Sequence, residues 1–210
     1  MAAQRRFGFA IVGAGMGAKP HALALKALGQ RIEVRGVYRR NRAELDAFCQ
    51  TYGFTAADSY ATLLSDPGVD AVLILTTPNA REELVAAAAR AGKHVLMEKP
   101  IERTLAAAER IVSSCAAAKV KLGIIFQHRF RRASRLLAEA VAENRYGRLE
   151  AVHLVVPWWR PQVGYYDQPG RGTLAQDGGG VLITQAIHSL DLMLSLCGEV
   201  SAVTAMAKTT

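Results

Sequence analysis

The run Phe7-Gly8-Phe9-Ala10-Ile11-Val12 is mostly apolar and stops at Gly13-Ala14-Gly15-Met16-Gly17, after which apolar residues recur at helical spacing from Pro20 to Leu28. The local reading is strand, tight turn, helix, with Gly29 as the stop. Such a turn needs glycine first for the reversal, glycine second so that backbone can approach a ligand, and a small residue third for close packing. Gly13, Gly15 and Ala18 occupy those places, with Gly17 in addition. The pattern points to a helix whose first amides face an anion, such as the pyrophosphate of a dinucleotide. A purely structural turn is the competing reading of the same glycines.

The alternation then continues. Ile32 to Tyr38 reads as a second strand, Arg42 to Tyr52 as a helix closed by Gly53, and Tyr60 to Leu64 as a short helical turn before Asp66-Pro67-Gly68. Val69 to Leu75 is almost entirely apolar, as a parallel strand buried on both faces should be. Arg81 to Arg90 predicts a helix ended by Gly92, and His94 to Met97 a strand. Thr104 to Lys119 predicts a helix capped by Thr104, and Val120 to Phe126 the next strand. Strands alternating with helices predict an α/β fold: a doubly wound parallel sheet, or Rossmann domain, over residues 1–126.

From 127 to 210 the rhythm changes and predicts a second, incomplete α+β domain. It comprises a helix from Arg132 to Glu143, a strand-like Leu149 to Val156, and a loop rich in proline, glycine and aromatics from Pro157 to Gly172. A helix from Val181 to Leu196 follows Gly178-Gly179-Gly180, and Val200 to Ala207 alternates like part of a strand.

Net charge is +8, from 26 Lys and Arg against 18 Asp and Glu, with no long basic block. That suits anionic small molecules or simple solubility, and no nucleic-acid motif accompanies it. Cys49, Cys115 and Cys197 are odd in number and lack CxxC spacing, so neither a disulfide framework nor a zinc site is expected and a reducing cytoplasm is. Arg5-Arg6 imitates an export signal, but the apolar run after it ends at Gly13 without a cleavage site. No run approaches the roughly 18 apolar residues of a membrane span, so no membrane partner is expected.

Where NAD-binding folds usually place a carboxylate for the ribose hydroxyls, this chain reads Tyr38-Arg39-Arg40-Asn41. Two guanidiniums there suit the 2′-phosphate of NADP, with NAD possible and solvated surface charge as the alternative. Ligands of open α/β sheets sit beyond the carboxyl ends of the strands. Those ends carry Thr76, Thr77, Pro78 and Asn79, then Glu98 and Lys99, then His128 and Arg129. With Gly13, Gly15, Met16, Gly17, Arg39 and Arg40 they form the expected cofactor site. A lysine held in a partly dry cleft can donate to a substrate oxygen and exchange a proton with it, though a surface lysine is the commoner case. His188 follows Thr184 by four residues and precedes Asp191 by three, so one helix face can carry all three. No metal-ligand set accompanies them. Trp158, Trp159, Arg160, Tyr165 and Tyr166 suit a sugar ring or simple loop packing equally well.

In the glycine turn with His21 after it, Asp70-Ala71-Val72, Thr77-Pro78-Asn79, the block from Ala91 to Pro100, His128-Arg129-Phe130, Gly178 to Leu182 and His188-Ser189-Leu190-Asp191, the chain resembles the glucose-fructose oxidoreductase, inositol dehydrogenase and rhizopine-catabolism (Gfo/Idh/MocA) family of NAD(P)-dependent dehydrogenases. The resemblance implies an N-terminal Rossmann domain and a C-terminal domain whose sheet usually mediates dimer or tetramer contacts. It implies that Lys99, before an often cis proline, hydrogen-bonds the reacting oxygen, and that His188 is an acid or base on that oxygen. Sugars, polyols and related hydroxy compounds are the implied substrates, with Trp159, Arg160, Tyr166 and Asp191 near them. Thr184 stands where many members carry Asp and cannot supply a charge. Members are usually longer, so a C-terminally truncated member with an uncovered apolar face is expected. The family also holds a corepressor and a hydrolase or dehydratase that cycles bound NAD, so a cofactor-binding regulator stands as an alternative to an enzyme, and the missing part of the sheet leaves an inactive fragment as another.

Overall fold

The computed structural model describes residues 5–207; residues 1–4 and 208–210, the outer ends of the two expected domains, lie outside it. Five parallel strands form one sheet: β1 (Phe7–Val12), β2 (Ile32–Tyr38), β3 (Ala71–Ile74), β4 (His94–Glu98) and β5 (Leu122–Ile125), in the order β2-β1-β3-β4-β5. The helices between them are α1 (Ala18–Ala27), α2 (Arg42–Tyr52), the short α3 (Tyr60–Ser65), α4 (Arg81–Arg90) and α5 (Leu105–Ala117). Side chains alternate through the sheet as strand geometry requires. Ala10, Val12, Val72 and Ile74 enter one core with Val85 and Ala88 of α4 and Ile111 of α5. Ile11 and Leu73 enter the other with Leu25 of α1 and Leu45 of α2. All four residues of β3 are buried, as its unbroken apolar run predicts. The capping chemistry is local: Asn41, Ser59 and Thr104 each accept from a backbone N–H three residues on. The order reverses between β1 and β3, which opens a crevice at their carboxyl ends.

Beyond β5 the chain turns through Gln127–Phe130 into α6 (Arg132–Ala142), later forms the one-turn α7 (Leu174–Asp177), and ends its helical part in α8 (Ile187–Cys197). A wider π-type turn, Leu182–Ala186, leads into α8. The 127–130 turn packs against both α6 and α8, and the Arg103 guanidinium donates to the Ala175 carbonyl. Two expectations fail here. Leu149 to Val156 and Val200 to Ala207 form no strand, because nothing among the described residues pairs with either and a lone strand is not held without a partner. Most of their apolar residues, Val155 and Val203 among them, stand exposed. The described second region is therefore helical and irregular. One stretch, Leu174–Cys197, has by length and composition alone the character of a membrane-crossing helix. Its helix is interrupted at Gly178 and Gly179, both at positive φ, and the unbroken part from Leu182 is shorter than the roughly 20 residues that span hydrocarbon.

Gly8 shows how tightly the amino end of the sheet is built around β1. Its N–H donates to Asp70 Oδ2 at 2.7 Å, and a Cβ there would lie 1.8 Å from the Gly68 carbonyl oxygen. That oxygen belongs to backbone in the Asp66-Pro67-Gly68 turn and cannot swing away as a flexible side chain would. Gly8→Ala is therefore expected to lower the unfolding free energy in urea titrations by about 2 kcal/mol, through overpacking.

Candidate active site

The crevice is a cleft of about 410 Å³, bordered by the glycine turn, the β3 end, the β4 end and the segment from Tyr165 to Thr184. Gly13 reverses the chain at φ +90, where a Cβ would lie 2.9 Å from Leu75 and Thr76 backbone. Around Gly15 and Gly17 the situation is opposite, since added Cβ atoms would meet nothing within 4 Å. The first turn of α1 has no side-chain cap: the Ala18 N–H donates to the Gly15 carbonyl at 2.9 Å and Pro20 has no N–H, so the positive end of the helix dipole rather than a row of free amides faces this space. Nearby, the buried Thr76 Oγ1 also lacks a hydrogen-bond partner. Open glycine backbone, a helix N-terminus and an orphan hydroxyl fit the phosphates of a dinucleotide.

At the end of β2, Arg39 donates to the Ala14 carbonyl at 2.6 Å and is paired with Glu44, while Arg40 is exposed. Thr76, Thr77 and Pro78 line the cleft; Met16 lines it while largely exposed, and Asn79 is exposed outside its lining.

The β4 end is held from two sides. His21, from α1, contacts Glu98 Oε1 through Nε2 at 2.8 Å, and Glu98 Oε2 accepts from the Lys99 N–H at 3.1 Å. Burial pushes the Glu98 carboxyl up, but its bond to His21 and the charges of His21 and Lys99 outweigh this and hold it below the usual carboxylate range. From the other side comes Arg81, only 3% exposed. It donates to Thr76 O at 2.7 Å and Glu98 O at 2.5 Å, and also to Pro100 O. Burial brings its pKa down to about 10. The Lys99–Pro100 bond between these anchors is cis.

Lys99 thus projects into the cleft, where its Nζ donates to the Thr184 carbonyl at 2.6 Å. Burial lowers its pKa, Glu98 draws it back up, and the charges of Arg81 and Arg171 lower it further. The Thr184 hydroxyl bonds the Gly180 carbonyl at 2.9 Å, so this residue meets Lys99 through backbone. One turn on, His188 is 5% exposed, with its Nδ1 buried and unpartnered. Its ring stacks on His128 at 5.0 Å, and His128 in turn meets Trp158 edge-on at 5.8 Å. Burial first, then the charges of Lys99 and His128, lower the His188 pKa to about 4.

The other expected site residues divide. Arg129 and Asp191 form a two-pronged ion pair at 2.5 and 2.6 Å, which fastens the 127–130 turn to α8. Trp159 is 78% exposed and Tyr166 packs on Tyr165, whereas Tyr165 itself lines the cleft and Trp158 covers His128. Arg160 lies over both Trp158 and Tyr165. Sequence reasoning missed Arg81, Arg171 and Asp177. Arg81 sits at the head of an alanine-rich helix, and only its burial reveals its task.

Residues 7–126 match the oxidoreductase family with an NAD-binding Rossmann fold, and residues 134–210 match the GFO/IDH/MocA C-terminal domain. A 1,5-anhydro-D-fructose reductase of Ensifer adhaerens is 37% identical over 64% of this chain and 40% of its own. A myo-inositol 2-dehydrogenase of Thermotoga maritima is 33% identical over 65% of this chain and 39% of its own. Among solved structures, the WlbA dehydrogenase of Bordetella pertussis in complex with NADH and UDP-GlcNAcA is 30% identical with a TM-score of 0.85, over 94% of this chain and 59% of that one. The chain thus spans about two fifths to three fifths of the length of these relatives. With the Rossmann match alone covering more than half of its residues, the chain belongs to the Gfo/Idh/MocA oxidoreductase family.

Proposed function

We propose that this chain is the cofactor-binding and reacting part of an NADP-dependent oxidoreductase for a sugar, polyol or related carbonyl and alcohol pair. The observation that carries the reading is the contact of Lys99, from the end of β4, with Thr184 in one cleft beside the glycine turn, with His188 one helical turn beyond Thr184 and within reach of the Lys99 charge. The reductase, dehydrogenase and NADH-complexed relatives favour it. Gly15, Gly17 and Thr76 would hold the dinucleotide phosphates, and Arg39 with Arg40 the 2′-phosphate. When bound, the nicotinamide supplies or accepts the hydride.

The protein's share is the proton. Lys99 has three N–H donors and spends one on Thr184, so donors remain for a substrate oxygen. Charged, it can give a proton to a carbonyl oxygen under reduction; neutral, it can take one from an alcohol under oxidation. His188, with its pKa near 4, is a neutral imidazole at working pH and would hold that oxygen by a hydrogen bond while Lys99 carries the proton. Because the Lys99 pKa lies below the ordinary 10.5, alcohol oxidation should rise with pH through a limb below that value.

Lys99→Met is expected to cut turnover by at least about 100-fold, the usual worth of a positioned acid or base, while NADPH still binds in a fluorescence titration. Unchanged turnover would remove Lys99 from the chemistry. In the same titration NADPH should bind more tightly than NADH, and the reverse order would sink the assignment to Arg39 and Arg40.

The buried imidazole also leaves a mark on stability. Its folded pKa of about 4 lies below the ordinary 6.5, so as pH falls the unfolded chain binds the proton first. Stability contributed by neutral His188 is complete above about pH 6.5 and is lost toward pH 4. Thermal melts across that window should show a shallower acid decline in His188→Gln than in the unaltered protein.

A further inference from the structure

Arg39 holds its guanidinium between two segments. One of its nitrogens donates to the Ala14 carbonyl in the glycine turn at 2.6 Å, and another is ion-paired with the Glu44 carboxylate in the first turn of α2. Glu44 lies three residues after Asn41, the N-cap of α2, whose side chain accepts the Glu44 N–H at 3.2 Å. That bond fixes the Glu44 backbone at a position from which a glutamate ordinarily reaches back toward the cap. Here the carboxylate meets Arg39. Of the neighbouring cations, Arg40 is exposed, and Arg42 is engaged by Asp46 at 2.9 Å and by Asp58 at 3.3 Å. Glu44 is thus the acid that faces the one guanidinium tied to the glycine turn.

Dinucleotide folds keep an acid near the end of the second strand to accept from the ribose hydroxyls, or an arginine there to take a 2′-phosphate. This chain has the arginine at the strand end and an acid delivered to it from the next helix. The two demands conflict. A 2′-phosphate can take Arg39 only by drawing it off Glu44, and the carboxylate then stands beside it as a like charge. A free 2′-hydroxyl brings no such charge and can donate to a carboxylate. We infer that Glu44 sets the nucleotide preference of this chain by competing with the 2′-phosphate for Arg39, which narrows the margin of NADPH over NADH. The inference rests on the oxidoreductase reading for the presence of a dinucleotide, but not for which nucleotide binds better. The two side chains are 30% and 49% exposed, so solvent screens the pair and the competition is worth a modest factor rather than an absolute choice.

The test is a fluorescence titration of NADPH and of NADH, at one fixed ionic strength, on the unaltered protein and on Glu44→Gln, which keeps the side-chain length and removes the charge. NADPH affinity is expected to rise about threefold to tenfold in the variant, while NADH affinity stays level or falls. Asp46→Asn removes a negative charge from the same helix and should leave the ratio of the two affinities within about twofold of its starting value. Added to Arg39→Met, Glu44→Gln should bring a smaller gain than it brings alone, because the partner it releases is gone. Retained NADH binding shows in the same titrations that each variant folds. A ratio that does not move in Glu44→Gln overturns the inference. So does an equal shift in Asp46→Asn, or an undiminished gain in the Arg39→Met background, because general charge repulsion then accounts for it. An unaltered protein that prefers NADH, with the order reversed in Glu44→Gln, would uphold the role of Glu44 and count against the NADP-dependent reading. A preference for NADPH that Glu44→Gln leaves untouched would do the opposite.

Discussion

The site depends on one buried cation. Arg81 reaches from the first residue of α4 to the carbonyls of Thr76, Glu98 and Pro100, and so ties the chain leaving β3 to the chain leaving β4. Carbonyls at strand ends have lost their ladder partners and must find others when buried. A guanidinium can satisfy several at once from a fixed plane, which an ammonium cannot. The desolvation that lowers its pKa to about 10 is the cost of that arrangement, offset by the nearby carboxylates of Glu98 and Glu102. With both reversals fixed, Lys99 has little choice of direction.

From that anchor the remaining geometry follows. The sheet reverses its order between β1 and β3, so the glycine turn and the Thr76-Thr77-Pro78 segment face each other across the crevice. His21 links α1 to Glu98, and the helix that starts at the crevice is thereby joined to the strand end that presents Lys99. The second region closes the third side. Its Thr184 carbonyl takes the Lys99 ammonium, and the Arg129–Asp191 pair fixes α8 against the 127–130 turn, so that His188 arrives one helical turn beyond the contact.

Legibility in the sequence tracked how local the cause was. The five strands and their helices could be read because β3 is apolar throughout, the caps at Asn41, Ser59 and Thr104 are one-turn effects, and Gly13 announces its own reversal. Lys99 and His188 were legible through the motifs around them. Arg81 was not, because a lone arginine at a helix start has no signature and its partners lie 5 to 19 residues away on other segments. Tyr165 was taken together with Tyr166, and only the path of an irregular loop separates the one that lines the cleft from the one that does not. The alternation in Leu149 to Val156 and Val200 to Ala207 misled for another reason: period two describes what a strand would bury, and without a paired neighbour there is nothing to bury it against.

The electrostatics of the cleft bear on how many protons it can hold. Burial disfavours the charged forms of both Lys99 and His188, and the Lys99 charge is itself one of the reasons His188 gives up its proton. Two groups coupled in this way titrate as a pair, the first proton shaping the affinity for the second. Glu98 and the Thr184 carbonyl favour that first proton on Lys99, while at His188, stacked on His128 and flanked by Phe126, the pull of Glu98 is outweighed by burial and the charges of Lys99 and His128. The neutral ring therefore leaves the ammonium as the single mobile charge facing the cleft from this wall. Interconversion of a carbonyl and an alcohol needs one proton for each hydride, and a pair arranged to hold one matches that stoichiometry.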